Sequence, residues 1–169
     1  MLNQDEENYL SKIDPNKKVS VNLFDSRAKE IGDNIVSKIK TEFPNLEVLF
    51  MGATALQIAG QNDVDIYALS SPKDFNKYLA TLEKLFGEPK SIHETFIEWE
   101  FNESNYPIEL YLTDPSSESM QRQIKVFNIL KTNRDLLKEY ENIKLRFDNK
   151  SFKDYQKAKY EFYNKILEK

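Results

Sequence analysis

From residue 25 onward apolar side chains return at three- and four-residue steps: Ala28, Ile31, Ile35, Ile39 and Phe43. That spacing puts them on one face of a helix over residues 25–43, with Asp25 or Ser26 as its N-cap and Pro44-Asn45 as its end. Residues 46–51, LEVLFM, are short, apolar and strand-favouring, and they stop at Gly52. In DVDIYAL, residues 63–69, Val64, Ile66 and Ala68 alternate with Asp65, Tyr67 and Leu69, which predicts a second strand with acids at its start. A helix over residues 72–86 follows: Pro72 suits a first turn, Phe75, Leu79, Leu82 and Phe86 form the stripe, and Gly87 closes it. The stretches ETFIEWEF and PIELYL, residues 94–101 and 107–112, both alternate and read as an antiparallel pair joined through residues 102–105. Beyond residue 116 the chain reads as helices over 117–131, 135–147 and 152–167, broken at Thr132-Asn133 and Asp148-Asn149. A short helical piece over residues 5–13, set off by Asp14-Pro15-Asn16, precedes everything else. The pattern is that of an α+β protein: a small mixed or antiparallel sheet backed by helices, with a helical C-terminal third.

Composition narrows the chemistry. At 169 residues and 40% hydrophobic, the chain suits one domain over residues 1–169, with residues 1–20 peripheral and the helices of 116–169 packed on the core. It has no cysteine, so disulfides, thiolate zinc sites and cysteine nucleophiles are excluded. The one histidine, His93, precedes a strand and reads as a surface or half-buried residue without a catalytic role; multi-histidine metal sites are excluded with it. Any metal must therefore be held by hard oxygen ligands. With 24 basic and 28 acidic residues the net charge is −4, which gives no general attraction to duplex DNA or to anionic membranes. No apolar run approaches the roughly 20 residues that span a bilayer, and the acidic start is unlike a signal peptide, so a cytoplasmic protein is expected. Trp99 and the Phe and Tyr stripes follow strand and helix periods and read as core, while Tyr67 suits either core or stacking.

The informative stretch is FMGATALQIAGQNDVDIYAL, in which a strand ends at Gly52, a turn and short helix follow, and Asp63 and Asp65 open the next strand. Strand residues two apart share a face, so both carboxylates are expected to project together. Glu109, on another strand, comes beside them if the two strands pair. Three adjacent carboxylates are costly to keep ionised unless a cation balances them, and one or two Mg²⁺ ions bound by such oxygens are suited to phosphoryl or nucleotidyl transfer. Gly52 permits close approach of a phosphate, which the Thr54 hydroxyl and nearby amides are placed to hold. Among the basic residues of the C-terminal helices, Lys131 and Lys144 are the first candidates to reach a triphosphate, with Arg122 and Lys125 next.

An apolar strand, Gly plus a small residue, about ten residues, Asp-x-Asp and a later strand acid resemble the polymerase-β-type nucleotidyltransferases. Within that superfamily the chain is most similar to the GrpB-like family. GATALQIAG stands where that family has its Gly-Ser-Thr-Ala stretch, and ILKTNRDLLKEYENIKLRF followed by DYQKAKYEFYNKIL follows its tail. The resemblance covers residues 46–167. It implies a nucleotidyltransferase fold, Asp63 and Asp65 as metal ligands, Glu109 as third acid, Gly52, Ala53 and Thr54 as a phosphate cradle, and Lys131, Lys144 and Lys159 as the basic positions of the tail. The chain departs from the pattern at Ala53, where serine is usual, and at Phe127-Asn128, where an Arg-Asp pair often begins the tail helix. The implied function is Mg²⁺-dependent transfer of a nucleotidyl group from a nucleoside triphosphate such as ATP to a hydroxyl on a small molecule, a protein or an RNA end. The rival is a nucleotide-binding or regulatory module, antitoxin- or sensor-like, on the same fold, which Ala53 favours and the retained acids oppose.

Overall fold

The computed structural model describes residues 2–168; Met1 and Lys169, the outermost residues of the expected domain, lie outside the described residues. Five strands form one sheet: β1 (Glu47–Met51), β2 (Val64–Leu69), β3 (Ser91–Ile92), β4 (Phe96–Glu103) and β5 (Tyr106–Thr113). Their order is β1-β2-β5-β4-β3, antiparallel throughout except that β2 and β5 run parallel. The expected strand pair is a hairpin tighter than residues 102–105: the strands run to Glu103 and from Tyr106, and Ser104 and Asn105 turn the chain at φ 52° and 69°. Both central residues at positive φ match the twist that a two-residue hairpin needs.

Alternation along the strands gives the sheet two different faces. Val64, Ile66, Ala68, Ile97, Trp99, Ile108, Leu110 and Leu112 point to the first and are buried there against α2 (Ser26–Glu42) and α4 (Asn76–Phe86). The α2 stripe of Ala28, Ile35 and Ile39 is fully buried, and Asp25 caps the helix by accepting from the Arg27 amide at 2.9 Å. Helix α2 comes close to the sheet because Gly32 has no side chain; a Cβ there would lie 2.3 Å from the Phe50 ring. The single helix expected over residues 72–86 is a 3-10 turn, Pro72–Asp74, followed by α4, because the fixed Pro72 favours a tight first turn.

The second face carries Asp65, Tyr67, Glu98, Glu100, Glu109 and Tyr111. Its β1 side is covered by α5 (Glu118–Thr132), whose Met120, Ile124 and Phe127 pack on Leu49, Met51, Tyr67 and Leu69. Helices α6 (Arg134–Arg146) and α7 (Phe152–Leu167) pack with α5 into a C-terminal bundle. A short α3 (Gly52–Ala55) and the chain to residue 60 seat on that bundle: Ala53 and Ile58 lie against Tyr140 and Phe162, and Ala59 against Tyr155. Helix α1 (Gln4–Ser11) closes the bundle from outside, its Leu10 buried and Tyr9 set edge-on to Tyr160 at 6.1 Å. Among the described residues no helix is long and apolar enough to cross a membrane.

Candidate functional site

The site lies where the end of β1, the start of β2 and the middle of β5 meet the bundle. Chain direction reverses at Gly52, whose φ of +82° belongs to the region that only glycine enters freely. Its bare Cα faces Asp65: a Cβ built on Gly52 would stand 2.2 Å from Asp65 Oδ2. Parallel pairing of β2 with β5 sets Asp65 directly opposite Glu109, so the expected meeting of these two strands occurs in register. Asp63 precedes β2 instead of belonging to it. Its main-chain carbonyl accepts the Thr54 hydroxyl at 2.6 Å, which fixes the loop leading into the strand.

Two lysines approach this acidic corner from the bundle. Lys144 on α6 is 4% exposed, donates to the Tyr155 hydroxyl at 2.9 Å and lies 4.8 Å from the Tyr140 ring centroid. Lys159 on α7 sits 5.2 Å from the Tyr155 ring centroid, and Lys144 5.4 Å from the same ring. The Tyr140 and Tyr163 hydroxyls share a hydrogen bond of 2.6 Å beside them. On the sheet, the rings of Tyr67 and Tyr111 stack at 5.2 Å, and the Tyr111 hydroxyl donates to Glu109 at 3.2 Å.

These groups govern one another's ionisation. Burial pushes the Asp65 carboxyl well above the usual range; the Asp63 and Glu109 charges push it further, and Lys159 and Lys144 draw it back. Glu109 is raised by burial and by Asp63, against the hydrogen bond from Tyr111. Lys144 is lowered to about 7 by burial and by the neighbouring Lys159, in spite of Asp63 and Asp65. For Lys159, burial opposes the charge, but Tyr163, Tyr155, Asp63 and Asp65 outweigh it and hold the ammonium firmly protonated.

The other expected contacts fall elsewhere. The Thr54 side chain is buried and turned to the Asp63 carbonyl, and Ala53 packs against Val126 and Leu130, so neither side chain is presented outward. Arg122 is tied to Glu6 at 2.7 Å and to Asn164 at 2.5 Å, joining α5 to α1 and α7. Lys125 lines a shallow hollow on the outer side of α5 with Gln121 and Asn128. Lys131 lines a groove of ≈ 680 Å³ along β1 with Lys29, Asp33 and Gln57. Lys144 alone of these four basic candidates acts on the acids, and Lys159, known from the tail resemblance, is its companion. The sequence carried a signal for this pair: Tyr140 and Lys144, and Tyr155, Lys159 and Tyr163, recur at four-residue steps and so share helix faces.

The donor chemistry suits Mg²⁺, since Asp63, Asp65 and Glu109 offer hard carboxylate oxygens beside a glycine turn. Among the described residues no three acidic or histidine side chains stand close enough to grip one ion as they lie. Asp63 is held outside the strand, and the charges of Lys159 and Lys144 lower the Asp65 carboxyl that burial raises.

A family model described as GrpB protein matches residues 18–169. Among curated proteins none matches. Among solved structures the chain is similar to Cid1, described by its RNA terminal uridylyl transferase activity, at 11% identity over 83% of this chain and 43% of that one, with a TM-score of 0.51. Two further Cid1 structures, described as a poly(U) polymerase with MgGTP or Mg 3'-dATP bound, align at 14% and 13% identity, covering 81% and 83% of this chain and 46% of each, with TM-scores of 0.44. This chain thus spans less than half the length of those proteins. The first likeness establishes the nucleotidyltransferase fold.

Proposed function

For a chain that belongs to the GrpB family, we propose the activity of a Mg²⁺-dependent nucleotidyltransferase working in the cytoplasm. The observation that carries this reading is the in-register pair of Asp65 and Glu109 beside the Gly52 turn, facing Lys144 and Lys159. Asp63, Asp65 and Glu109 are the residues that would hold Mg²⁺, which when bound polarises the phosphate oxygens and neutralises developing charge. Lys144 and Lys159 take the polyphosphate, and the stacked Tyr67 and Tyr111 rings flank the reacting centre. Glu109, whose raised pKa improves its capacity as a base, receives the proton of the acceptor hydroxyl. That oxygen bonds to the α-phosphorus while the bond to the β-phosphate oxygen breaks, and pyrophosphate leaves. Positioning and charge neutralisation supply most of the acceleration in such a transfer, which suits a site without His or Cys. The acceptor is a hydroxyl on a small molecule, a protein or an RNA end; the acidic surroundings disfavour duplex DNA.

The test is Mg²⁺-dependent binding of a labelled nucleoside triphosphate, with pyrophosphate release measured in parallel, for wild type and Asp65→Asn. The reading expects binding that needs Mg²⁺, slow pyrophosphate release, and at least a tenfold loss of both in the variant. Absence of Mg²⁺-dependent binding by the wild type would sink it. The burial of Ala53 among Val126 and Leu130 favours a second reading, a nucleotide sensor or antitoxin-like module without transfer. That reading expects binding without pyrophosphate release.

A further inference from the structure

The two edges of the sheet are built differently. At one edge stands β3, two residues long and too short to template another strand. At the other stands β1, which among the described residues pairs with β2 alone, residue for residue from Glu47 to Met51. It has no proline, no bulge and no charge beyond Glu47, so the devices that keep a sheet edge from pairing are missing. Nor is it covered. The groove of ≈ 680 Å³ runs along it, floored by all five β1 residues and walled by Lys29 and Asp33 of α2 and by Phe127 and Lys131 of α5. The hollow on the outer side of α5 adjoins this groove, and the two share Ile124 and Asn128. The ends of the groove carry opposite charge. The C-terminal half of α5 packs on α3 through Val126 and Leu130 against Ala53, so Lys131 stands at the Met51 end and Glu47 at the other. Both side chains are exposed, and neither forms an ion pair among the described residues.

From this arrangement we infer that the edge takes a second copy of the chain, β1 pairing antiparallel with β1 of that copy about a two-fold axis at Leu49. Such pairing sets Glu47 of each copy opposite Met51 of the other, and so at the end where the other's Lys131 stands. Leu49 and Met51 face α5, and alternation puts Glu47 on the same side, so carboxylate and ammonium meet on one face of the joined sheet, twice by symmetry. Opposite charges so placed favour the pair. Parallel pairing would leave each Glu47 at the far end from the other copy's Lys131. The helices also accommodate the copy. Helix α2 lies over β1 and β2 alike, so joining the sheets brings it two strand spacings, about 10 Å, from its counterpart, an ordinary distance for packed helices. On the other face the α5 stripes of Gln121, Ile124, Lys125 and Asn128 come together and cover the half-buried Ile124. A short peptide would fill the groove alone and leave that hollow open. The inference needs no nucleotide and stands apart from the proposed activity.

The experiment follows the full chain by sedimentation equilibrium across micromolar concentrations, with amide hydrogen exchange over residues 47–51 measured on the same samples and folding checked by circular dichroism. The wild type is expected to sediment at twice the chain mass of 19.9 kDa, and its β1 amides to exchange more slowly as the dimer forms. Both charged residues are exposed, so their reversal leaves the fold in place. Glu47→Lys or Lys131→Glu alone should weaken the dimer about tenfold, because each change acts twice across the axis. The double exchange Glu47→Lys with Lys131→Glu should recover it to within about threefold of the wild type. A wild type that stays monomeric at every concentration overturns the inference, whether or not it captures an extended peptide along β1. A dimer that ignores both reversals, or one whose β1 amides exchange as freely as in the monomer, has another register or another interface and overturns it as well.

Discussion

Gly52 is the residue on which the site geometry turns, for two separate reasons. Its positive φ sends the chain off the end of β1 into α3, and its missing side chain leaves the volume that Asp65 Oδ2 occupies. Alanine at this position meets both constraints at once. The backbone conformation costs an L-residue about 1–3 kcal/mol, and the Cβ would stand 2.2 Å from the carboxylate, so Asp65 must move. The expected outcome for Gly52→Ala is a loss of about 1–3 kcal/mol in urea unfolding, together with a loss of Mg²⁺-dependent nucleoside triphosphate binding far larger than the stability change explains. A variant that is destabilised yet binds normally would show that Asp65 does not need its present position. The sequence alone justified Gly52 as a turn that lets a phosphate approach; the structure adds that its closest neighbour is the aspartate. A backbone vacancy filled by a residue thirteen positions later leaves no mark in local periodicity.

At the scale of elements, α1 shows how a side chain can be recruited away from the role its charge suggests. Glu6 is 6% exposed, accepts from the Asn3 amide at 2.8 Å as part of a capping box, and receives Arg122 at 2.7 Å and Asn164 Nδ2 at 3.0 Å. One buried carboxylate thus joins α1, α5 and α7. Arg122→Ala leaves Glu6 buried without its guanidinium, and the expected cost is about 1–3 kcal/mol of stability, read by thermal or urea unfolding, with nucleotide affinity per folded molecule unchanged. A specific loss of nucleotide affinity at unchanged stability would return Arg122 to the phosphate site. The same contrast explains what was legible in the sequence. Alternation and three–four spacing gave the strands and long helices because each buries one face, and Asp65 beside Glu109 followed once β2 and β5 paired. Two-residue β3 is too short to show any period, and Pro72 split the fourth helix. Among the basic residues, charge could not tell a salt-bridged Arg122 or a groove-lining Lys131 from Lys144, since which side of a helix bundle faces the sheet is set by long-range packing. The tyrosines spaced four residues from Lys144 and Lys159 were the local clue that Lys144 is buried and Lys159 half-buried.

Across the whole molecule, the sheet puts its two faces to different uses. One is sealed by α2 and α4 and carries the apolar core, whereas the other keeps acids and tyrosines beside the bundle that carries Lys144 and Lys159. Stability should therefore depend on pH through this corner. Lys144 is lowered from 10.5 to about 7 by burial and then by Lys159. Between those values the unfolded chain holds a proton that the folded protein has released, so stability rises with pH across the window. The gain ends near pH 10, because Tyr67, Tyr140 and Tyr155 have pKa values raised mainly by burial, and their contribution is lost once the unfolded tyrosines ionise. Lys144→Met removes the titrating amine while keeping a side chain of similar length. The expected outcome is that wild-type stability relative to Lys144→Met climbs by on the order of 2–3 kcal/mol between pH 7 and pH 10, measured as urea midpoints in metal-free buffer. A wild type that runs parallel to the variant over this range would mean that Lys144 keeps its proton throughout, and that the carboxylates beside it compensate its burial fully.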